Sequence, residues 1–206
     1  MGGGAQTQVF EENPKARSDL KAGTLYAIWG IADWIYYGQV AVDKSVAFFS
    51  RRDRKIAASV DVLASPIMSR VGIDFASVGQ ALRSGAWKKL GKYPLRDELG
   101  SAQPVVQWPV GTLDVTVWIG QLQSRLTRIE DPSIQNLEII AAWDAVHHVP
   151  ARLAVDYAPD EAIQTVANVW SIGGPVWRER RVKEEFARRS DKPWHELPAD
   201  WVPTGF

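Results

Sequence analysis

Hydrophobic and polar positions alternate most clearly between Gly23 and Val40, where Thr24, Tyr26 and Ile28 interleave with Leu25, Ala27 and Trp29 before Ile35, Tyr36, Tyr37, Gln39 and Val40 lead away. β-Branched and aromatic residues on a period of two predict a β-hairpin, with Gly30 to Trp34 as its reversal. Ser45 to Ser50 is short and apolar enough for a buried strand. Ile56 to Leu63 alternates loosely and reads as another, ended by Pro66, which has no N–H to give to a ladder. Val71 to Leu82 is ambiguous between helix and strand, although Phe75, Val78 and Leu82 fall at helical separations. Thr112, Asp114, Thr116 and Trp118 alternate with Leu113, Val115, Val117 and Ile119, the pattern of a half-buried strand. Leu137 to Trp143 predicts a further strand. Pro159-Asp160-Glu161 then opens a helix, Gly173-Gly174-Pro175 interrupts it, and Val176 to Arg189 forms a second, strongly charged helix.

These elements predict an α+β fold: a mainly antiparallel, aromatic-rich twisted sheet with helices, the C-terminal part being helical. Residues 1–19, glycine-rich and then polar, read as a flexible N-terminal arm. Residues 20–158 form the α+β domain, and residues 159–206 a helical extension whose Trp- and Pro-rich tail, with Trp194 and Trp201, packs back on that domain.

Composition narrows the chemistry. There are ten tryptophans, and each buries about 150–250 Å² when enclosed, so most belong to the core. Cysteine is absent, which excludes a disulfide scaffold, a thiolate metal site and a cysteine nucleophile, and fits a reducing compartment. Lys and Arg balance Asp and Glu at 24 each, so the basic excess of a protein that neutralises many phosphates is missing and direct nucleic-acid binding is not expected. The start, Met-Gly-Gly-Gly-Ala-Gln-Thr, has neither the basic nor the apolar region of a secretory signal, and Gln6 stands where a myristoylation motif carries Ser or Thr. No apolar run approaches the roughly 20 residues of a membrane span. A soluble, cytoplasmic protein is expected, with no membrane contact.

Asp144, His147 and His148 are the one cluster with the makings of an active site. A helical turn over Ala142 to Val149 would set Asp144 toward both histidines. Adjacent histidines diverge, however, by about 100 degrees on a helix, and no His-Glu-x-x-His pattern or third ligand accompanies them. Neither a metal nor a cofactor is expected. Nucleophile-elbow, phosphate-loop and dinucleotide motifs are also absent.

Charge is uneven along the chain. Residues 51–100 carry ten Lys/Arg against five Asp/Glu, whereas residues 101–150 carry two against five, the acids being Asp114, Glu130, Asp131, Glu138 and Asp144. Gathered on one surface, these acids would present a complementary field to a basic partner. Trp34, at the hairpin reversal, is a further candidate for partner contact.

The order of several short pieces carries a family resemblance. Gly23-Thr-Leu-Tyr-Ala-Ile28, Tyr37-Gly-Gln-Val40, Ser84-Gly-Ala-Trp-Lys-Lys-Leu-Gly91 with Pro94-Leu95, Ala142-Trp-Asp144 and Arg152-Leu153 together resemble the immunity protein 26 family of bacterial polymorphic toxin systems, over about Asp19 to Ala158. The resemblance implies an α+β protein that binds and blocks a toxin domain made by the same cell, without catalysis; its glycines and tryptophans read as fold residues and carry over no binding surface, so the candidate contacts remain Asp114, Glu130, Asp131, Glu138 and Asp144, by their charge, and Trp34, by its place at the reversal. The reversal Gly30 to Trp34 is more apolar than the Asp-Gly type of the family, and residues beyond Ala158 lie outside the match. Two readings stand beside it: a small hydrolase or metal-dependent enzyme using Asp144, His147 and His148, and a carbohydrate- or peptide-binding module using exposed tryptophans.

Overall fold

In the computed structural model, which describes residues 10–162 and 175–196, the alternation around Gly30 closes as a hairpin. Strand β1 (Thr24–Trp29) pairs antiparallel with β2 (Ile35–Val40), Trp29 opposite Ile35. Every residue of both strands is buried. Alternate side chains therefore feed two separate cores: Tyr26, Ile28, Tyr36 and Val40 enter one, and Leu25, Ala27, Trp29, Ile35 and Tyr37 the other. This double coverage explains why the stretch is apolar at nearly every position.

The chain divides into two compact units, residues 1–101 with 142–157, and residues 102–141 with 158–206. The first unit has a five-stranded sheet in the order β4-β3-β2-β1-β5, with β3 (Val46–Asp53), β4 (Ile67–Val71) and β5 (Trp87–Lys92). One face is covered by helix α2 (Phe75–Arg83), which buries Val78, Ala81 and Leu82, and by α3 (His148–Tyr157), which buries Val149 and Leu153. The other face takes Val62 of the short helix α1 (Ser59–Ala64) and Phe10, whose ring meets Trp29 edge-on at 6.4 Å. The segment after Phe10 is tied down as well, Asn13 donating its N–H to the carbonyl of Arg83 at 3.1 Å.

The second unit has a four-stranded sheet in the order β8-β7-β6-β9, formed by β6 (Pro104–Gln107), β7 (Asp114–Ile119), β8 (Leu122–Arg128) and β9 (Glu138–Ile139). Its strands are antiparallel except for β6 and β9. Val106, Val115, Val117, Ile129 and Ile134 make its core with Val176 of helix α5 (Pro175–Ser190). A four-residue helix, α4 (Pro159–Ala162), belongs to this unit too. The fold is α+β, as the patterning predicts, and among the described residues no helix is long and apolar enough to cross a membrane.

Some elements differ from the sequence expectation. Within Ile56 to Leu63 the structure has helix α1 rather than a strand. The phenol of Tyr37 accepts the N–H of Ala57 at 2.9 Å and donates to the carbonyl of Lys55 at 3.3 Å, diverting the chain from the sheet just before the helix begins. Beyond the apolar run ending at Ser50, Arg51 to Asp53 extend β3, with Arg51 and Asp53 paired at 2.8 Å two residues apart on one strand face. Of the strand expected over Leu137 to Trp143 only Glu138 and Ile139 pair with β6, while Trp143 bridges to Ile73 of the first unit. The chain crosses between units at that point, so one continuous strand would have to belong to both. Helix α2 resolves the Val71 to Leu82 ambiguity: Asp74 caps it, accepting the Ser77 N–H at 2.8 Å. Residues Ile163 to Gly174, with Trp170, and Trp201 lie outside the described residues.

Candidate functional site

The outermost strand of the second unit, β8, is the most exposed element of either sheet, with only Thr127 half-buried among its seven residues. Its turn explains its position. Ile119 lies opposite Leu122 across the two-residue loop Gly120-Gln121, and Gly120 has φ +60°. A glycine with positive φ at the first loop position suits a type II′ hairpin, whose twist matches that of the flanking strands. A bulge follows: Trp118 faces Gln123 and Val117 faces Arg125, so Ser124 is the extra residue.

Leu122 is 74% and Leu126 70% exposed, beside Ile119 at 43%. Leu126 shares the outer sheet face with its partner Thr116 and with Trp118, whose indole N–H donates to Gln107 Oε1 at 2.9 Å. Of the nine exposed large hydrophobic residues among those described, Val110, Ile119, Leu122, Leu126 and Ile140 all fall in this one unit, within a stretch of 31 residues. Ile119, Leu122 and Leu126 stand at the β7–β8 edge of the sheet, whereas Val110 precedes β7 and Ile140 follows β9 at the other edge; exposed apolar side chains at an open sheet edge suit an interaction surface.

A polar hub fixes the inner side of β8. Asp131 Oδ2 accepts from Arg125 Nη1 at 2.9 Å and from Thr127 Oγ1 at 2.8 Å, while its Oδ1 accepts the N–H of Ser133 at 2.8 Å and its hydroxyl at 2.6 Å. The Ser133 hydroxyl and N–H, then the Thr127 hydroxyl, and the Arg125 charge hold this carboxyl well below the usual range. Gln135 adds a second tie, donating to the carbonyls of Ile129 at 2.8 Å and Asp131 at 2.7 Å. At the far end of β8, Arg128 lies between two carboxylates, Glu130 at 3.3 Å and Asp114 at 3.8 Å. Burial alone would raise the Glu130 carboxyl; its own backbone N–H and the Arg128 guanidinium outweigh this and lower it.

The structure thus gathers three of the six candidate contacts, Asp114, Glu130 and Asp131, around β8. Each is bonded to an arginine, so the group is not an unrelieved acidic field. Glu138 stands on β9 at the opposite edge of the sheet.

Asp144 and Trp34 belong to the first unit. Asp144 Oδ1 accepts the N–H groups of Val146 at 2.9 Å and His147 at 2.7 Å, and its carbonyl accepts from His148 at 3.1 Å. It thereby starts α3, and both histidines are exposed. Among the described residues no group of three His, Cys, Asp or Glu side chains could hold a metal ion. Trp34 is half-buried, with the guanidinium carbons of Arg52 and Arg54 at 4.2 and 3.7 Å from its ring centroid. None of the tryptophans whose side chains are described is exposed.

Patterning along the sequence does not single out β8, because the bulge at Ser124 breaks the period of two that would otherwise announce a strand. The legible signal is Gly120-Gln121 directly after a strand, a two-residue hairpin loop. Comparison with known proteins finds no match for the chain, whether among family models, curated proteins or solved structures.

Proposed function

We propose that this protein is an immunity protein, which binds the toxin domain of a bacterial polymorphic toxin system made by its own cell and neutralises it in the cytoplasm by stoichiometric occlusion, without catalysis. The observation that carries this reading is the exposure of Leu122 and Leu126 on the edge strand β8, with Ile119 beside Leu122 on β7, apolar side chains at an open sheet edge suited to a protein partner. The resemblance to the immunity protein 26 family, over about Asp19 to Ala158, supplies the kind of partner. Charge adds support: residues 102–141 hold Arg125 and Arg128 against Asp114, Glu130, Asp131 and Glu138, an excess of two negative charges that favours encounter with a basic toxin domain.

Co-expression with the toxin domain encoded in the neighbouring gene tests the proposal. Growth is expected to be rescued, and the purified pair to elute as a complex of fixed stoichiometry. Unrescued growth together with no complex at micromolar concentration would sink it. Substitution of His147 and His148 by alanine is expected to leave rescue intact.

A further inference from the structure

The geometry points to β8 as the strand to which the toxin domain adds an extended segment of its own, an inference that rests on the protein-binding reading above. Ile129 donates its N–H to the carbonyl of Leu113 at 2.8 Å. The pairs Val115·Thr127 and Val117·Arg125 continue that register, so by the alternation of an antiparallel ladder they are the hydrogen-bonded pairs. The intervening pairs Asp114·Arg128 and Thr116·Leu126 then turn their backbone groups away from one another. On β8 this aims the N–H and C=O of Leu126 and the N–H of Arg128 at the open edge. The Arg128 carbonyl is already taken by the Asp131 N–H at 3.0 Å. What remains is a donor and acceptor on Leu126 and a donor two residues on, the pattern another strand satisfies.

Charge and shape narrow the occupant. Leu126 and Arg128 lie on the same sheet face, and at Arg128 one guanidinium serves two carboxylates, Asp114 and Glu130, whose side chains are 82% and 45% exposed. Asp114 lies on β7, with β8 between it and the open edge, so the carboxylate within reach of an added strand is Glu130, two residues beyond Arg128. The incoming strand therefore places an apolar side chain beside Leu126 and, toward the Arg128 end, a lysine or arginine directed at Glu130. The bulge at Ser124 interrupts regular pairing toward Leu122 and confines the added strand to the half from Arg125 to Arg128. The Asp131 hub keeps that half in place before binding, which reduces the ordering cost of association.

The test uses the full chain and an inactivated form of the toxin domain from the neighbouring gene, with affinity read by calorimetry. Leu126→Pro removes an N–H that the β7 ladder does not use, so the sheet is retained; binding is expected to weaken about 100-fold or more, against about 10-fold for Leu126→Thr and for Glu130→Lys. Hydrogen exchange on the wild-type complex is expected to slow at the Leu126 and Arg128 amides. A folded Leu126→Pro variant that binds as tightly as wild type overturns strand addition and leaves the immunity reading standing, as does a complex in which those two amides exchange unchanged. A chain that is a dimer by itself and becomes monomeric on Leu126→Pro assigns the edge to a second copy and also overturns it. No binding by the wild-type chain removes both the immunity reading and this inference.

Discussion

Arg125 and Asp131 meet at 2.9 Å across the turn that follows β8, and the same carboxylate oxygen takes the hydroxyl of Thr127 at 2.8 Å. Two residues of an edge strand are thus fastened to one side chain outside it. This leaves the opposite edge of the strand available while its position stays fixed.

The Asp131 carboxyl is lowered from its ordinary value of 3.8. A lowered carboxyl contributes stability that is fully present above its unfolded value and lost as the pH falls toward its folded one. Urea midpoints followed from about pH 5 down to about pH 2 are therefore expected to fall less steeply for Asp131→Asn than for the wild type. Parallel curves would show that this carboxyl does not contribute to acid sensitivity.

Among the described residues Trp87 is the largest fully buried side chain, 1% exposed, and its indole N–H donates to the Ala145 carbonyl at 3.0 Å. Trp87→Phe leaves that carbonyl unpaired and opens a void, and is expected to cost about 2 kcal/mol in equilibrium denaturation. A loss below about 0.5 kcal/mol would mean that the surroundings collapse and the carbonyl finds water.

Arg152 and Asp156 form a buried pair, Nε to Oδ2 2.6 Å, with side chains 4% and 5% exposed. The Arg152 guanidinium also lies 5.1 Å from the Trp143 ring centroid. Removing one partner strands a buried charge, so Asp156→Ala is expected to destabilise by about 3 kcal/mol, whereas Arg152→Met combined with Asp156→Leu restores most of it. A double-mutant cycle measures the difference, and equal losses in the single and double variants would count against the pair.

Ala32 adopts φ 55° and ψ 38° at the tip of the β1–β2 hairpin, a conformation that costs a residue with a Cβ about 1–2 kcal/mol. Ala32→Gly relieves this but enlarges the unfolded ensemble, and a net gain of about 0.5 kcal/mol is expected, seen as a raised Tm.

Much of the fold is written in local patterning. Hairpin β1–β2, strand β7 with its two alternating faces, and the charged helix α5 follow from the spacing of apolar residues and the placing of glycine and proline. What local patterning does not carry is tertiary reassignment. Ala57 is turned away from the sheet by the phenol of Tyr37, 20 residues earlier, and Trp143 leaves its expected strand because its backbone pairs with Gly72 and Asp74. The candidate site was half legible: Asp114, Glu130 and Asp131 stand out by charge, but Leu122 and Leu126 lie either side of a bulge that hides their strand. That those acids would find arginines as neighbours depends on the Gly120 turn bringing β8 back along β7, which no count of charges expresses.

The return of residues 142–157 to the first unit has a consequence for synthesis. Ala145, Val149 and Leu153 belong to the same core as Tyr26 and Trp87, so a nascent chain ending at Ser101 has its five strands but lacks helix α3 over one face. At roughly 5–20 residues per second, the ribosome needs several seconds to add residues 102–157. Until Ala145 is made, the indole of Trp87 has no carbonyl there to bond, and the hairpin that first draws attention in the sequence waits, half covered, for a helix made long after it.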